Sequence, residues 1–389
     1  MGTDPEIFTL LLDTVRRYVS ERLIPAEAEV VETGKIPDEI IVEMKEMGLY
    51  GLSISEDYGG LGLSMEEEVR LIFELGRTSP AFRNAPGTNI GIGSQAIVIS
   101  GSDTQKAEYL PKLATGEVVG SFCLTEPDAG SDAMAIRTSA TRDGDHYILN
   151  GTKRYITNAP KAQLFTVMAR TAPERKSASI SCFLVDAKTP GITLGPPDKK
   201  MGQAGALTCD VIFDNCRVPA STLLGGVEGN GFTTAMRVLD KGRLHIGALC
   251  TGIAGRLIEE SLRYAIERKQ FGKPIADFQL IQAMIADSQA EAYAAQCMIL
   301  DAARRRDAGE DTTLVAASAK MFASEMVGRV ADRAVQIHGG AGYMAEYAVE
   351  RFYRDVRLFR IFEGTTQIQQ TIIARELRKR FERDDAYYL

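Results

Sequence analysis

Histidine is scarce in this chain. There are three (His146, His245 and His338) in 389 residues, none beside another or near a cysteine at ligand spacing. That pattern argues against a metal enzyme. The six cysteines, Cys123, Cys182, Cys209, Cys216, Cys250 and Cys297, form no CxxC pair, and most lie inside apolar stretches. They read as buried thiols of a reducing compartment, not as a disulfide framework or a zinc site. No apolar run approaches the length of a membrane span. Asp4, Glu6 and Asp13 break the charged-then-apolar pattern of a signal peptide. An excess of positive charge is lacking too: the net charge is −7, which disfavours nucleic acid or an anionic membrane as the main partner. No G-x-G-x-x-G follows an opening strand, which argues against a nicotinamide enzyme.

What is present is the balance of an ordinary globular protein, 45% hydrophobic and 25% charged, without repeats or low-complexity tracts. The length calls for two or three domains, and periodicity divides the chain into three. Residues 1–118 read as a helical domain: Ile7, Leu11, Val15 and Val19 recur every fourth position. A second helix ends over Lys45–Gly48, and Glu66–Gly76 forms another after a loop at Gly59, Gly60 and Gly62. Residues 119–226 switch to short runs: HYILNG (146–151), KRYITN (153–158), QLFTVMA (163–169), SISCFLVDA (179–187) and CDVIFDN (209–215). Hairpin-type turns are expected at Asp143-Gly144-Asp145 and Asn150-Gly151, giving a small antiparallel sheet or barrel. Residues 227–389 return to long helices. Leu249, Ile253 and Leu257 share a face, and Ile281, Ile285, Ser288, Ala292, Ala295 and Ile299 form a bundle seam of a kind that also serves oligomer contacts. The fold class is multidomain α+β, and the lack of βαβ alternation argues against a Rossmann fold.

Four stretches place polar groups where chemistry could use them. Ser121–Asp132 (SFCLTEPDAGSD) is a strand and turn whose small residues would let amides and hydroxyls approach a polar planar ligand. Arg268–Gln282 (RKQFGKPIADFQLIQ) ends one helix, breaks at Gly272 and Pro274, and starts another. Its Arg268 and Lys269 suit a helix C-terminus, or a pyrophosphate with Phe271 beside it. Gln336–Tyr343 (QIHGGAGY) is a helix cap and link, or a point of close contact with a dinucleotide; His338 reads as a packed helix residue. In Arg360–Leu377 (RIFEGTTQIQQTIIAREL), Thr365 and Thr366 are N-caps for a helix with Ile368, Ile372 and Ile373 on its apolar face. Glu363 sits in the turn before it. It is a surface or capping carboxylate unless Ile361 and Phe362 desolvate it, in which case its pKa rises and it becomes a useful base.

Together LTEPDAGSD, NGTKRYITN, RKQFGKPI, QIHGGAGY and FEGTTQIQ, in this order over nearly the whole chain, resemble the acyl-CoA dehydrogenase family. The resemblance implies an N-terminal α-helical domain, a middle antiparallel β domain and a C-terminal four-helix bundle, assembled as a homotetramer (a dimer of dimers). FAD would lie between β domain and bundle. By matching position, Phe122, Leu124, Thr125, Gly130 and Ser131 would line the flavin and its ribityl and phosphate groups, with Tyr155 and Thr157 flanking the isoalloxazine. Position 155 is often Trp in the family, so Tyr155 is a departure. Arg268, Gln270, Phe271, Gln279, Gln336 and Gly340 would come from a neighbouring subunit to the pyrophosphate and adenosine end. Thr365 and Gln367 would belong to the subunit that supplies the catalytic carboxylate.

The implied reaction is α,β-dehydrogenation of an acyl-CoA to the trans-2-enoyl-CoA, as in fatty acid β-oxidation. Glu363 would take the α-proton, the β-hydride would pass to the flavin, and electrons would go on to an electron-transferring flavoprotein. One subgroup carries its base on another helix; the matching position here is Gly242, which leaves Glu363. Ser131, Asp240, Arg243, Phe362 and Gly364 match substrate-contacting positions, although Asp240 and Arg243 also read as a helix-surface ion pair. Arg83 matches the residue that holds the distal carboxylate in glutaryl-CoA dehydrogenases, while the acidic residue that precedes it there is replaced by Gly76. Its other reading is an exposed or structural ion-pair residue. An oxidase on the same fold and a non-catalytic scaffold are the competing functions. Chain length and the AYYL ending, which lacks a peroxisomal signal, argue against the oxidase. The expected location is the cytoplasm of a bacterium, or the mitochondrial matrix if a transit peptide has been removed.

Overall fold

The computed structural model describes residues 3–174 and 176–383. The terminal AYYL and the first two residues, on which the targeting expectations bear, lie outside the described residues.

Seven helices come first: α1 Pro5–Tyr18, continued by a π-turn over Val19–Leu23, α2 Glu27–Thr33, α3 Asp38–Glu46, α4 Met65–Leu75, α5 Pro80–Ile90, α6 Gln95–Ser100 and α7 Asp103–Ala114. Their starts follow side-chain chemistry. Asp4 accepts from the Glu6 and Ile7 amides, and Ser64 with Glu67, like Ser102 with Gln105, forms a reciprocal capping box. Along α1 and the π-turn the buried residues are Phe8, Val15 and Val19, Leu11 is half-buried, and Ile7 is exposed. A four-residue repeat overshoots the 3.6-residue turn, so the stripe rotates off one face.

A seven-stranded sheet follows: β1 Gly120–Cys123, β2 Ser139–Asp143, β3 His146–Thr157, β4 Leu164–Arg170, β5 Ile180–Asp186, β6 Ile192–Leu194 and β7 Thr208–Pro219. The order is β1-β4-β2-β3-β7-β6, with β5 on β4. Most ladders are antiparallel, but β1 runs parallel to β4, and Ser139 meets Arg170 in parallel register. A parallel pair joins strands distant in sequence and leaves no turn signal. The turn at Gly144 joins β2 to β3 as expected. Asn150-Gly151 is not a turn: it lies inside β3, where pairing with β7 slips between Leu149 and Gly151. Gly151 takes φ +148, and a Cβ there would stand 2.7 Å from Thr138 Cα, so glycine serves close approach within a bulge.

Beneath this sheet end, Lys153 is fully buried. Its Nζ lies 2.8 Å from Glu126 Oε1 and 3.1 Å from Leu124 O. Glu126 also accepts from Arg137 N (2.6 Å) and Thr138 N (2.9 Å), which ties the 124–138 loop to β3. Lys153→Met strands that carboxylate and is expected to cost about 3–5 kcal/mol. Denaturant titration followed by circular dichroism checks this.

The chain then returns to helices: α8 Gly231–Glu267, the small hairpin β8 Lys269–Gln270 and β9 Lys273–Pro274, α9 Gln279–Asp307, α10 Thr313–His338, α11 Ala348–Val356 and α12 Thr366–Glu382. The expected face of α8 holds, and that of α9 holds over its second half: Leu249, Ile253, Leu257, Ala292, Ala295 and Ile299 share one core with α10, α11 and the N-terminal α4. Ser288 is buried, whereas Ile281 and Ile285 are half-buried against a smaller cluster of Ala265, Ile275 and Ile337. Helices α4 and α8 cross with their backbones touching, because a Cβ on Gly76 would lie 2.8 Å from Leu249 O and 3.0 Å from Gly252 Cα. That packing explains why no acidic side chain fits at position 76. No described helix is long and apolar enough to cross a membrane.

Candidate active site

Glu363 lies in the turn before α12 with φ +51, a left-handed conformation that costs a non-glycine residue of order 1–3 kcal/mol. Buried side chains hold the turn. Lys320 Nζ donates to Gly364 O at 2.8 Å, and Gln369 Nε2 donates to Glu363 O and Gly364 O at 3.1 Å each. Thr365 caps α12 through Ile368 N at 3.2 Å. Thr366 does not cap; its hydroxyl donates to Glu325 at 2.6 Å. Burial lowers the Lys320 ammonium to about 8.

Glu363 Oε2 is enclosed and has no hydrogen-bond partner among the described residues. Burial raises its carboxyl above the ordinary carboxylate range, opposed by the charges of Arg83, Lys320 and Arg243. The desolvation has a different source from the one expected. Ile361 is exposed, and Phe362 is half-buried against Phe359, with ring centroids 5.7 Å apart. Helix α8 supplies the enclosure: a Cβ on Gly242 would lie 3.0 Å from Glu363 Cδ and nearer still to Oε2. The hollow left by glycine is filled by the carboxylate.

Arg83 is buried and forms no ion pair among the described residues. It is 6% exposed on α5, its Nη2 stands 3.2 Å from His245 Nδ1, and its Nε has no partner among the described residues. His245 Nε2 in turn meets Glu68 Oε2 at 2.7 Å, and Lys241 Nζ meets Glu68 Oε1 at 2.8 Å. Asp240 and Arg243 are paired, but not on the surface: Arg243 is buried and Asp240 half-buried. Burial raises the Asp240 carboxyl and lowers the Arg243 guanidinium, each opposed by the other's charge.

The strand side is set by three hydrogen bonds. Ser121 Oγ donates to Thr157 O at 2.7 Å, Arg154 N to Thr125 O at 2.8 Å, and Asn158 Nδ2 to Asn84 O at 3.0 Å. The last sets the end of β3 against α5, next to Arg83. Phe122 and Leu124 are buried there, Thr125 and Thr157 half-buried, and Gly130 and Ser131 exposed. Tyr155 is 59% exposed at φ +58, with the Arg154 guanidinium 4.9 Å from its ring centre. An open aromatic face beside hydroxyls, amides and apolar Phe122 fits a planar polar group such as a flavin.

The remaining expected residues lie elsewhere. Arg268, Gln270, Phe271 and Gln279 are exposed on the β8–β9 hairpin and the start of α9, with Phe271 93% exposed. Gln336 and Gly340 are exposed at the end of α10, where His338 stacks on Tyr264 at 4.3 Å. From Gly242 to Glu267, α8 rises about 37 Å, so this group does not reach the Glu363 end of its own chain. Gln367 is exposed on α12. An open cavity of about 240 Å³, lined by Lys45, Tyr50, Asn158 and Lys161 among others, does not include Glu363.

Sequence alone does not single out Glu68, Lys241, His245, Lys320 or Gln369. Glu68 hides in the acidic run Glu66–Glu68, of which only it is buried. Lys320 did leave a signal: it is a lone cation among small and apolar residues in AASAKMFAS.

Three family models cover most of the chain. The acyl-CoA dehydrogenase N-terminal, middle and C-terminal domains match residues 6–117, 121–216 and 229–378. A 3-(aryl)acrylate reductase of Clostridium sporogenes is 39% identical over 373 residues, 95% of this chain and 98% of that protein. The acryloyl-CoA reductase (NADH) of Anaerotignum propionicum is 41% identical over 373 residues, 95% and 94% of the two chains. The structure of butyryl-CoA dehydrogenase from Megasphaera elsdenii superposes with a TM-score of 0.92 at 34% identity, covering 97% of this chain and 100% of that one.

Proposed function

This chain belongs to the acyl-CoA dehydrogenase family, whose members are FAD-dependent oxidoreductases, and from that premise we propose that Glu363 abstracts the α-proton of an acyl-CoA that becomes the trans-2-enoyl-CoA. The observation that carries this reading is the enclosed, unpartnered Oε2 of Glu363 on the hollow at Gly242. Shielded by α8 and without a donor among the described residues, Oε2 has its proton affinity raised and its lone pairs free for a carbon acid. Loss of the α-proton builds negative charge on the thioester oxygen. The Glu363 backbone N–H, which donates to no acceptor among the described residues, is suited to receive that oxygen. Lys320 and Gln369 hold the turn so that N–H and carboxylate keep their relative orientation. Phe122, Leu124, Thr125, Gly130, Ser131, Tyr155, Thr157, Thr365 and Gln367 would hold the flavin from this subunit. When bound, the flavin supplies the two-electron acceptor for the β-hydride.

Arg268, Gln270, Phe271, Gln279, Gln336 and Gly340 would complete the cofactor site of a neighbouring subunit in a homotetramer. Their distance from Glu363 along α8 and the exposure of Phe271 support that arrangement. An electron-transferring flavoprotein is the electron acceptor that goes with this reading. The purified protein should be yellow and should bleach anaerobically with one class in an acyl-CoA panel; a colourless protein that cannot be reconstituted with FAD would favour a scaffold, and peroxide release under air an oxidase.

Substrate class turns on Arg83. A buried guanidinium without an ion-paired carboxylate among the described residues suits a dicarboxylyl thioester such as glutaryl-CoA. Arg83→Leu is then expected to lower kcat/KM for glutaryl-CoA by at least about 10²-fold more than for butyryl-CoA. An equal loss on both abandons the idea.

A second reading concerns direction. Two relatives are a 3-(aryl)acrylate reductase and an acryloyl-CoA reductase (NADH), and a raised Glu363 carboxyl could equally return a proton to Cα. Oxidation of the reduced enzyme by enoyl-CoA faster than its reduction by acyl-CoA would favour it.

A further inference from the structure

Apart from the groups used above, one buried row of titratable side chains leads toward Glu363. It runs Lys241, Glu68, His245, Arg83, with separations of 2.8, 2.7 and 3.2 Å. All four are buried, and they come from three helices, α4, α5 and α8. The polarity of the row follows from donor chemistry. A guanidinium only donates, so His245 Nδ1 must accept; the ring proton then sits on Nε2 and donates to Glu68. Burial depresses the His245 imidazole to about 4 despite Glu68, so it stays neutral across the working pH range. Burial alone would raise the Glu68 carboxyl, but Lys241 and His245 hold it below the usual carboxylate range. Lys241 also faces Arg306 and Asp307.

Gly242 and His245 are three residues apart on α8 and so share a face. The carboxylate of Glu363 lies over the first, and Arg83 lies on the second. We propose that His245 is a positioning residue: its neutral imidazole, anchored on Glu68, sets the Arg83 guanidinium against the Glu363 carboxylate and thereby tunes the base. The proposal rests on Glu363 being that base. Three cations face Glu363: Arg83 from α5, Arg243 from α8 and Lys320 from α10. Arg243 is engaged by Asp240 and Lys320 by Gly364 O. Arg83 is steered by an uncharged ring, and Glu363 and Glu68 are the two carboxylates whose charges act on it. Removing that ring frees Arg83 without deleting a charge.

The test is the pH dependence of anaerobic bleaching by butyryl-CoA and by glutaryl-CoA, run in parallel. In His245→Leu, Arg83 relaxes, its attraction for the carboxylate weakens, and the acidic limb of the rate should move up by about 1 pH unit. His245→Gln, whose amide can accept from Arg83 and donate to Glu68, should keep the wild-type limb. Arg83→Met should move the limb at least as far as His245→Leu, and adding His245→Leu to it should move it no further. An unmoved limb in folded His245→Leu, or a shift that persists in the Arg83→Met background, overturns the proposal. If His245→Leu does not fold, the charge-neutral pair Glu68→Met/Lys241→Met, which leaves His245 Nε2 no acceptor at position 68, removes the anchor instead: a raised limb supports the role and an unchanged one overturns it. Glu363→Gln that still bleaches would sink the base assignment itself, wherever the limbs lie.

Discussion

Glu363→Gln is expected to slow acyl-CoA-dependent flavin bleaching by about 10³-fold or more, because it deletes the proposed proton acceptor while preserving volume. The side chain is held by α8 and by the turn, not by hydrogen bonds of its own Oε2, so the variant should fold and retain its yellow colour. The pH behaviour distinguishes loss of a base from loss of shape. In the wild type the carboxyl is raised above its ordinary 4.5 by burial, so the acidic limb of the rate lies above pH 4.5. The sign for stability is opposite to that of a salt-bridged carboxylate. The unfolded chain releases this proton first, so the native state loses stability as pH rises from 4.5 through the raised folded value. Glu363→Gln removes that loss and should be no less heat-stable than the wild type at pH 8. Thermal scans at pH 4 and pH 8, paired with stopped-flow bleaching, check both parts; a glutamine variant that turns over would end the assignment.

The second large effect is expected from a methyl group. Gly242→Ala places a Cβ 3.0 Å from Glu363 Cδ and closer to Oε2, so the carboxylate must move by about an ångström. A displacement of that size at a reacting group costs of order 10²-fold in rate. Alanine raises helix propensity in α8, and the gain of up to about 1 kcal/mol partly offsets the strain of the crowded hollow. The expected signature is therefore a kcat defect with little change in unfolding temperature. Gly255 on the same helix, where the nearest atom to a built Cβ is Arg77 Nη1 at 3.6 Å, provides the control: its alanine variant should keep the wild-type rate. Comparable rates for the two variants would mean that Gly242 does not shape the base.

These two residues also mark how far the sequence reading reached. The helix–sheet–helix order was legible because hydrophobic periodicity changes near both ends of the sheet, and FEGTTQIQ was enough to place Glu363 in the turn before the last helix. Several particulars were not. Asn150-Gly151 has the composition of a hairpin turn, yet tertiary contact with Thr138 claims its glycine for a bulge. The parallel β1–β4 pair joins strands separated by two others in sequence, and no local pattern records such a pairing. In sequence Arg83 reads either as a holder of a distal carboxylate or as an exposed or structural ion-pair residue; only three dimensions reveal the imidazole beside it. Asp240 and Arg243 have surface ion-pair spacing, but the packing of α8 encloses them. Glu68 and Lys241 are 173 residues apart, a separation no motif spans.

The glycine crossing of α4 and α8 carries an implication for inheritance. Gly76 and Gly252 leave no gap between the two backbones, so the wall bearing Glu68 cannot slide along the wall bearing His245. A lineage that keeps the crossing holds α4 and α8 in fixed register, so its interior changes by exchange of side chains and not by a shift of these helices. Descendants that keep the crossing should therefore superpose closely in backbone while differing in the thioesters they accept.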